Sequence, residues 1–245
     1  MELKIQNLTK SFGSQIALSH ISLELTAGCV AVLGPNGSGK TTLLRCLATL
    51  EIPNSGQLWF DGYPYATHLQ LLRSQMGYLP QELNLPDHLT IRRLLNYLAI
   101  LKKSSHSEQI EDLIYALGLG KVANNPLSSL SNGQMRLLGI AQAFLGKPTL
   151  LLLDEPTRGL DIEEKQRFFS LLRQHVASRL VLYSTHDPQD INQKADRVII
   201  LYRGQVVFFG EVGDLNPSDR IDPKSHNNHN SCNQFFTSVI KGLEY

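Results

Sequence analysis

With 245 residues the chain has room for one large domain, or one domain with a subdomain, and its 42% hydrophobic content excludes global disorder. The 23 basic and 22 acidic side chains leave a formal net charge of +1, so no overall field exists to draw in nucleic acid. Cys29, Cys46 and Cys232 are scattered and odd in number, which argues for a reducing compartment rather than a disulfide framework.

Met1 to Ile5 alternate polar and apolar like a strand and lack the charged-then-apolar layout of a signal peptide. No apolar run approaches the ~20 residues a bilayer span needs. The expectation is a cytosolic chain that meets a membrane only through a partner. Leu3–Leu8 and Ile21–Leu25 alternate with a period of two and predict two strands around a turn-rich segment, Lys10-Ser11-Phe12-Gly13. Phe12 could stack on a nucleotide base or simply pack in the turn.

The short apolar run Val30–Leu33 predicts a buried strand, and Leu43, Leu44, Leu47 and Leu50 fall on one face of a helix. Between them lie Gly34, Pro35, Asn36, Gly37, Ser38, Gly39, Lys40, Thr41 and Thr42, which fit G-x-x-x-x-G-K-[ST] in the strand, loop, helix context that motif requires. The glycines let backbone N–H groups turn inward toward phosphate oxygens, and the helix N-terminus adds partial positive charge at the same place. Lys40 would reach the β- and γ-phosphates, and Thr41 would offer its hydroxyl to Mg²⁺.

Further on, Pro53–Gly56 reads as a turn, Gln57–Phe60 as a strand and Asp61-Gly62 as a tight hairpin turn. Met76–Pro80 predicts a buried strand ending at the polar Gln81. From Leu89 to Phe144 the pattern becomes helical, with apolar stripes at Ile91, Leu94, Leu95, Leu98 and at Ile110, Leu113, Ile114, Leu117, the second closing at Gly118. Lys102–Gln109 between them reads as a solvated loop. Ser131 and Gln134 make a capping box for a third helix; Gly133 would leave N–H groups uncovered there, a second anion site.

Leu150–Leu153 then carries two carboxylates, Asp154 and Glu155, to the C-terminal end of a parallel-type strand, where α/β proteins bind ligands. There Asp154 could hold Mg²⁺ through a water, and Glu155 could orient or deprotonate an attacking water. Asp161 is a plausible N-cap for a helix backed by Phe168, Phe169, Leu171 and Leu172. Leu180–Ser184 reads as a strand that delivers His186 to the same edge as Gln81 and Asp154. Val198–Leu201 and Gln205–Phe209 predict a terminal hairpin, and beyond Gly210 the chain turns polar. His226, His229 and Cys232 sit in an Asn-rich stretch with no fourth partner evident; 216–245 reads as a flexible tail with a short amphipathic end from Phe235 to Leu243.

Taken in order, Phe12, the phosphate loop, Gln81, Leu130–Gln134, Asp154-Glu155, Asp161 and His186 make the chain resemble the ATP-binding subunit of ATP-binding cassette (ABC) transporters, from Leu3 to about Leu215. The resemblance implies an α/β fold: a P-loop NTPase (RecA-like) core with an N-terminal antiparallel β subdomain and a helical signature subdomain inserted at about 84–147, all within residues 1–215. It implies ATP and Mg²⁺ as ligands, with Gln81 and Asp154 serving the metal alongside Thr41. It also implies a head-to-tail homodimer, or heterodimer with a second such ATPase, in which Ser131, Gly133 and Gln134 of one subunit and Asp161 near the interface complete the ATP site of the other. Phe12 would stack on adenine and His186 would steady the γ-phosphate.

Two departures from the family pattern stand out. Asn132 takes a usual glycine position, tolerable because Asn adopts strained backbone angles readily. The Arg commonly found three residues after the signature glutamine is replaced by Leu137, with Arg136 one place earlier. The runs Gly139–Leu145 and Gly159–Phe168 look most like the branch exporting drugs, antibiotics, polysaccharide or ions. The implied partner is an integral membrane permease, with the chain peripheral on the cytoplasmic face. The competing reading is a soluble ABC ATPase acting on ribosomes or DNA, and a P-loop kinase would leave Leu130–Gln134 without a role.

Overall fold

The computed structural model describes residues 1–102, 107–177, 179–191 and 195–215. A six-stranded sheet forms the centre: β3 (Gly28–Leu33), β6 (Met76–Leu79), β7 (Leu150–Leu153), β8 (Leu180–Thr185), β9 (Arg197–Tyr202) and β10 (Gln205–Glu211), in the order β10-β9-β3-β8-β7-β6. All neighbours pair in parallel except β9 and β10, which form the expected antiparallel hairpin. The core strands are apolar without alternation because both of their faces are covered. Val30 and Val32, Leu150 and Leu152, Leu180 and Leu182 pack on one side; Cys29, Ala31 and Leu33, Leu151 and Leu153, Val181 and Tyr183 pack on the other.

The first side holds α1 (Lys40–Leu47) and a second, antiparallel sheet of β2 (Gln15–Thr26), β1 (Glu2–Phe12), β4 (Ser55–Phe60) and β5 (Tyr63–Pro64), in that order. The opposite side holds α3 (Ile91–Leu101), α4 (Ser107–Ala116), α5 (Asn132–Phe144) and α6 (Ile162–His175). The stripes on α3 and α4 face this layer as their spacing predicts, and Gly118 after α4 adopts φ +69°, the left-handed conformation of a helix stop. Gly77 in β6 lets α5 lie directly on the sheet: a Cβ there would fall 1.9 Å from the carbonyl oxygen of Ala143.

Several local expectations are corrected. The segment Lys10–Phe12 is strand, not turn; Phe12 pairs with Gln15 across a two-residue reversal at Gly13-Ser14. Leu50 lies beyond the end of α1 and is exposed. The solvated-loop expectation for Lys102–Gln109 fails at its described end: α4 begins at Ser107, and Gln109 is buried between Phe144 and Gly146; Lys102 Nζ donates to the Leu145 carbonyl at 3.0 Å, and residues 103–106 lie outside the described residues. Burial lowers the pKa of Lys102. Helix α2 (Tyr65–Gln75) has no sequence-based expectation at all; it buries only Tyr65 and Leu72 and is broken at His68, so its apolar period is weak. The segment 216–245, with His226, His229, Cys232 and the amphipathic end, lies outside the described residues.

Candidate nucleotide site

Parallel pairing puts the carboxyl ends of β3, β6, β7 and β8 on one edge, with Leu33 opposite Thr185, Leu79 opposite Leu153 and Leu153 opposite Tyr183. The loops leaving that edge carry the phosphate loop, Gln81, Asp154-Glu155 and His186. A cleft of about 820 Å³ opens above them, lined by Asn36–Thr42, Gln81, Glu155, Thr157, His186 and Lys165 among others, and by Phe12, Gln15 and Ile16 from the antiparallel sheet. Phe12 is half exposed at its mouth, and Lys10 Nζ lies 4.8 Å from the ring centroid.

The phosphate loop requires glycine at two positions. Gly39 has φ +105° and a Cβ on it would sit 2.5 Å from the Ala17 carbonyl; Gly34 is hemmed in by the Leu201 carbonyl and Ser38. Gly39 is also the N-cap of α1 and offers no side chain to it, and the first turn of α1 has no acidic residue, so its N–H groups stay available for an anion. Lys40 is buried, and its Nζ donates to the carbonyls of Gly34 at 2.7 Å and Pro35 at 3.0 Å. Burial lowers its pKa, opposed by the charges of Glu155 and Asp154. Neutral carbonyls leave that positive charge uncompensated at close range, as a phosphate receptor requires.

Asp154 is fully buried beneath the cleft. Its Oδ1 accepts from Ser184 Oγ at 2.6 Å, and its Oδ2 has no hydrogen-bond partner among the described residues. Ser184 Oγ in turn accepts from the Glu155 amide at 2.8 Å, so one hydroxyl sets both acidic residues. Glu155 is 10% exposed at its side chain; Oε1 lies 3.2 Å from His186 Nδ1 and Oε2 3.6 Å from Arg158 Nη1. Its backbone is left-handed, φ +47°, a conformation a non-glycine residue adopts only when its surroundings impose it.

The cleft thus gathers Phe12, the phosphate loop, Gln81, Glu155 and His186, with Asp154 just below. Ser131, Gly133, Gln134 and Asp161 do not line it. Ser131 caps α5 with the reciprocal Gln134 bond, and Asp161 caps α6 with Glu164. Gly133 is buried, and the space a Cβ would take is filled by the Glu164 carboxylate. Asn132 is the first residue of α5 and is not among the positive-φ residues, so its tolerance needs no strained angle.

Three residues at the site carry no clear signal in the sequence. Buried Asp190 accepts from Thr157 at 2.6 Å, Thr185 at 3.0 Å and Lys165 at 3.2 Å, tying the loops after β7 and β8 together. Ser184 and Arg136 are the others: Ser184 is hinted at only as a short polar residue closing an apolar run, and Arg136 only by its offset of one place from the family's usual arginine.

A family model described as ABC transporter matches residues 18–158. The probable sulfate/thiosulfate import ATP-binding protein CysA of Chlorella vulgaris is 35% identical over 221 residues, covering 88% of this chain and 93% of that one. The zinc import ATP-binding protein ZnuC of Buchnera aphidicola is 34% identical over 203 residues, 81% and 80% of the two chains. Among solved structures, a dimeric post-hydrolysis ATP-binding cassette bound to ADP and Pi superimposes with a TM-score of 0.79 at 26% identity, covering 85% of this chain and 98% of that one.

Proposed function

Because this chain belongs to the ABC transporter family and is an ATPase of that family, with its P-loop NTPase fold, we propose that it powers transport through a separate integral membrane permease. The observation that carries the reading is the convergence of Lys40, Glu155 and His186 on one cleft at the sheet edge. ATP lies with its triphosphate in the phosphate loop, Lys40 turning from the Gly34 and Pro35 carbonyls to the β- and γ-phosphates and Phe12 flanking the base. Glu155 orients and deprotonates the attacking water, His186 steadies the γ-phosphate, and Gln81 reports the state of the site to the permease.

The residues fit Mg²⁺: an orphaned carboxylate oxygen on Asp154, the Thr41 hydroxyl and the Gln81 amide form a hard, all-oxygen set. Bound there, the ion would neutralise charge on the phosphate oxygens. Ser131, Gly133, Gln134 and Asp161 act from a second copy of the chain, or from a paralogous ATPase, in a head-to-tail dimer; that the solved cassette this fold matches is dimeric supports pairing of two chains. In such a dimer the partner's phosphate would approach the start of α5, where the Glu164 carboxylate now lies against Gly133.

The two named relatives import sulfate/thiosulfate or zinc, which supports a transport role and lends no support to the exporter branch expected from Gly139–Leu145 and Gly159–Phe168. No helix among the described residues is long and apolar enough to cross a membrane. A tagged chain, extracted from membranes in detergent, should bring with it a multi-span membrane protein whose presence raises ATP turnover. Recovery only with ribosomes or DNA would select the soluble ABC ATPase instead.

A further inference from the structure

We propose that Arg136 is a positioning residue for hydrolysis, clamping the backbone segments that carry Gln81 and Glu155 into one unit governed by helix α5. The inference rests on the roles given above to Gln81 and Glu155.

Arg136 is 6% exposed, in the second turn of α5. One terminal nitrogen, Nη1, donates to the carbonyls of Pro80 at 2.7 Å and Gln81 at 3.0 Å. The other, Nη2, donates to the carbonyls of Asp154 and, at 2.9 Å, of Glu155. These acceptors are the residues that leave the neighbouring strands β6 and β7. A planar guanidinium fits two carbonyl pairs side by side, a geometry that a lysine or glutamine cannot reproduce. Its Nε is buried without an acceptor among the described residues, so the terminal nitrogens alone hold the group.

The placement is costly, which argues against a space-filling role. Burial pushes the Arg136 pKa down to about 10, against the opposing pull of Asp154 and Glu155, and every acceptor is a neutral carbonyl. An apolar side chain would fill the volume without that cost. What Arg136 supplies instead is control of backbone direction at Glu155, whose left-handed φ of +47° sets both where its carbonyl points and where its carboxylate goes. Ser184 grips the amide of Glu155 and Arg136 grips its carbonyl, and between them the carboxylate is aimed at His186.

Two residues before Arg136, Gln134 closes the capping box with Ser131. A shift of the α5 start on engaging the partner's nucleotide therefore moves Arg136 with it, and with Arg136 the Gln81 and Glu155 backbones. Arg136 is thus the physical connection from the signature helix of a subunit to the catalytic edge of that same subunit.

The test measures steady-state ATPase rate and nucleotide affinity of the full chain with Arg136→Met and Arg136→Lys. Arg136→Met should lower kcat about 100-fold, the scale of a misplaced reacting group, with ATP affinity within about threefold of wild type. Arg136→Lys should recover part of the rate. If a circular dichroism melt shows that the Met variant does not fold, the Lys variant carries the test, with about a 10-fold kcat loss at unchanged affinity. Unchanged kcat in a folded variant, or affinity falling in step with kcat, overturns the proposal. A wild-type chain that turns over ATP while Glu155→Gln remains fully active would instead overturn the assignment of Glu155 on which the proposal stands.

Discussion

Glu155→Gln separates chemistry from binding at this site. The substitution preserves volume and shape in a side chain that is 10% exposed, and the amide can still meet His186 Nδ1, now 3.2 Å from Oε1. The ion pair it removes joins Arg158 at 3.6 Å, and Arg158 is 58% exposed, so its contribution to stability is under about 1 kcal/mol. On the role proposed for Glu155, what is lost is the proton acceptor, and general-base catalysis supplies roughly 10²- to 10⁴-fold, or about 3–5 kcal/mol at 1.36 kcal/mol per decade. Binding should hold or tighten: the wall of the cleft loses a negative charge where a γ-phosphate must lie.

The assay is phosphate release at saturating ATP beside a fluorescent-nucleotide titration and a sizing column run with ATP. Turnover should fall by at least about 100-fold, affinity should not weaken, and a dimer should persist with ATP. Turnover within a few-fold of wild type would refute the reasoning and move the base elsewhere; parallel loss of binding would make Glu155 structural.

Two further outcomes are expected from the geometry. Mixing Lys40→Ala with Ser131→Ala chains should restore ATPase activity to at most about a quarter of wild type, since random pairing makes half the dimers mixed, each with one intact composite site; no recovery at all would count against sites shared between subunits. Gly77→Ala forces a methyl group into the Ala143 carbonyl, 1.9 Å from its ideal Cβ, and should cost about 3 kcal/mol, or roughly 6–12 °C in Tm. An unchanged melting curve would show that α5 does not rest on β6 as described.

Much of this site is legible in the sequence because its carriers are the chain's most constrained segments. Val30–Leu33 and Leu150–Leu153 are buried on both faces, so they read as unbroken apolar runs, and the residues just after each run must emerge at the sheet edge. Phe12 is harder. Its strand runs to the very turn, and an exposed aromatic beside Gly13 looks the same whether it ends a strand or sits in a loop. The surroundings of Gly133 are hidden for a related reason: a bare helix start in sequence says nothing of Glu164, some 30 residues on, whose carboxylate fills the space a Cβ would take.

Arg136 and Asp190 are illegible because their partners are mostly distant in sequence. Arg136 meets carbonyls 56 and 18 residues away, and a backbone carbonyl has no letter in the sequence. The missing signature arginine at Leu137 marks that neighbourhood as unusual, yet only the fold shows which way the adjacent guanidinium turns.

The alternation of faces along β3, β7 and β8 has a mechanical consequence. Because each strand sends one residue to each layer in turn, the sheet is a stiff partition anchored from both sides, and neither layer can slide on it without breaking close packing. Its body therefore transmits little displacement. Compliance is confined to the rim, where Gln81, Glu155 and His186 stand on short segments just past the last paired residues, and any push from the helical layer is felt there first.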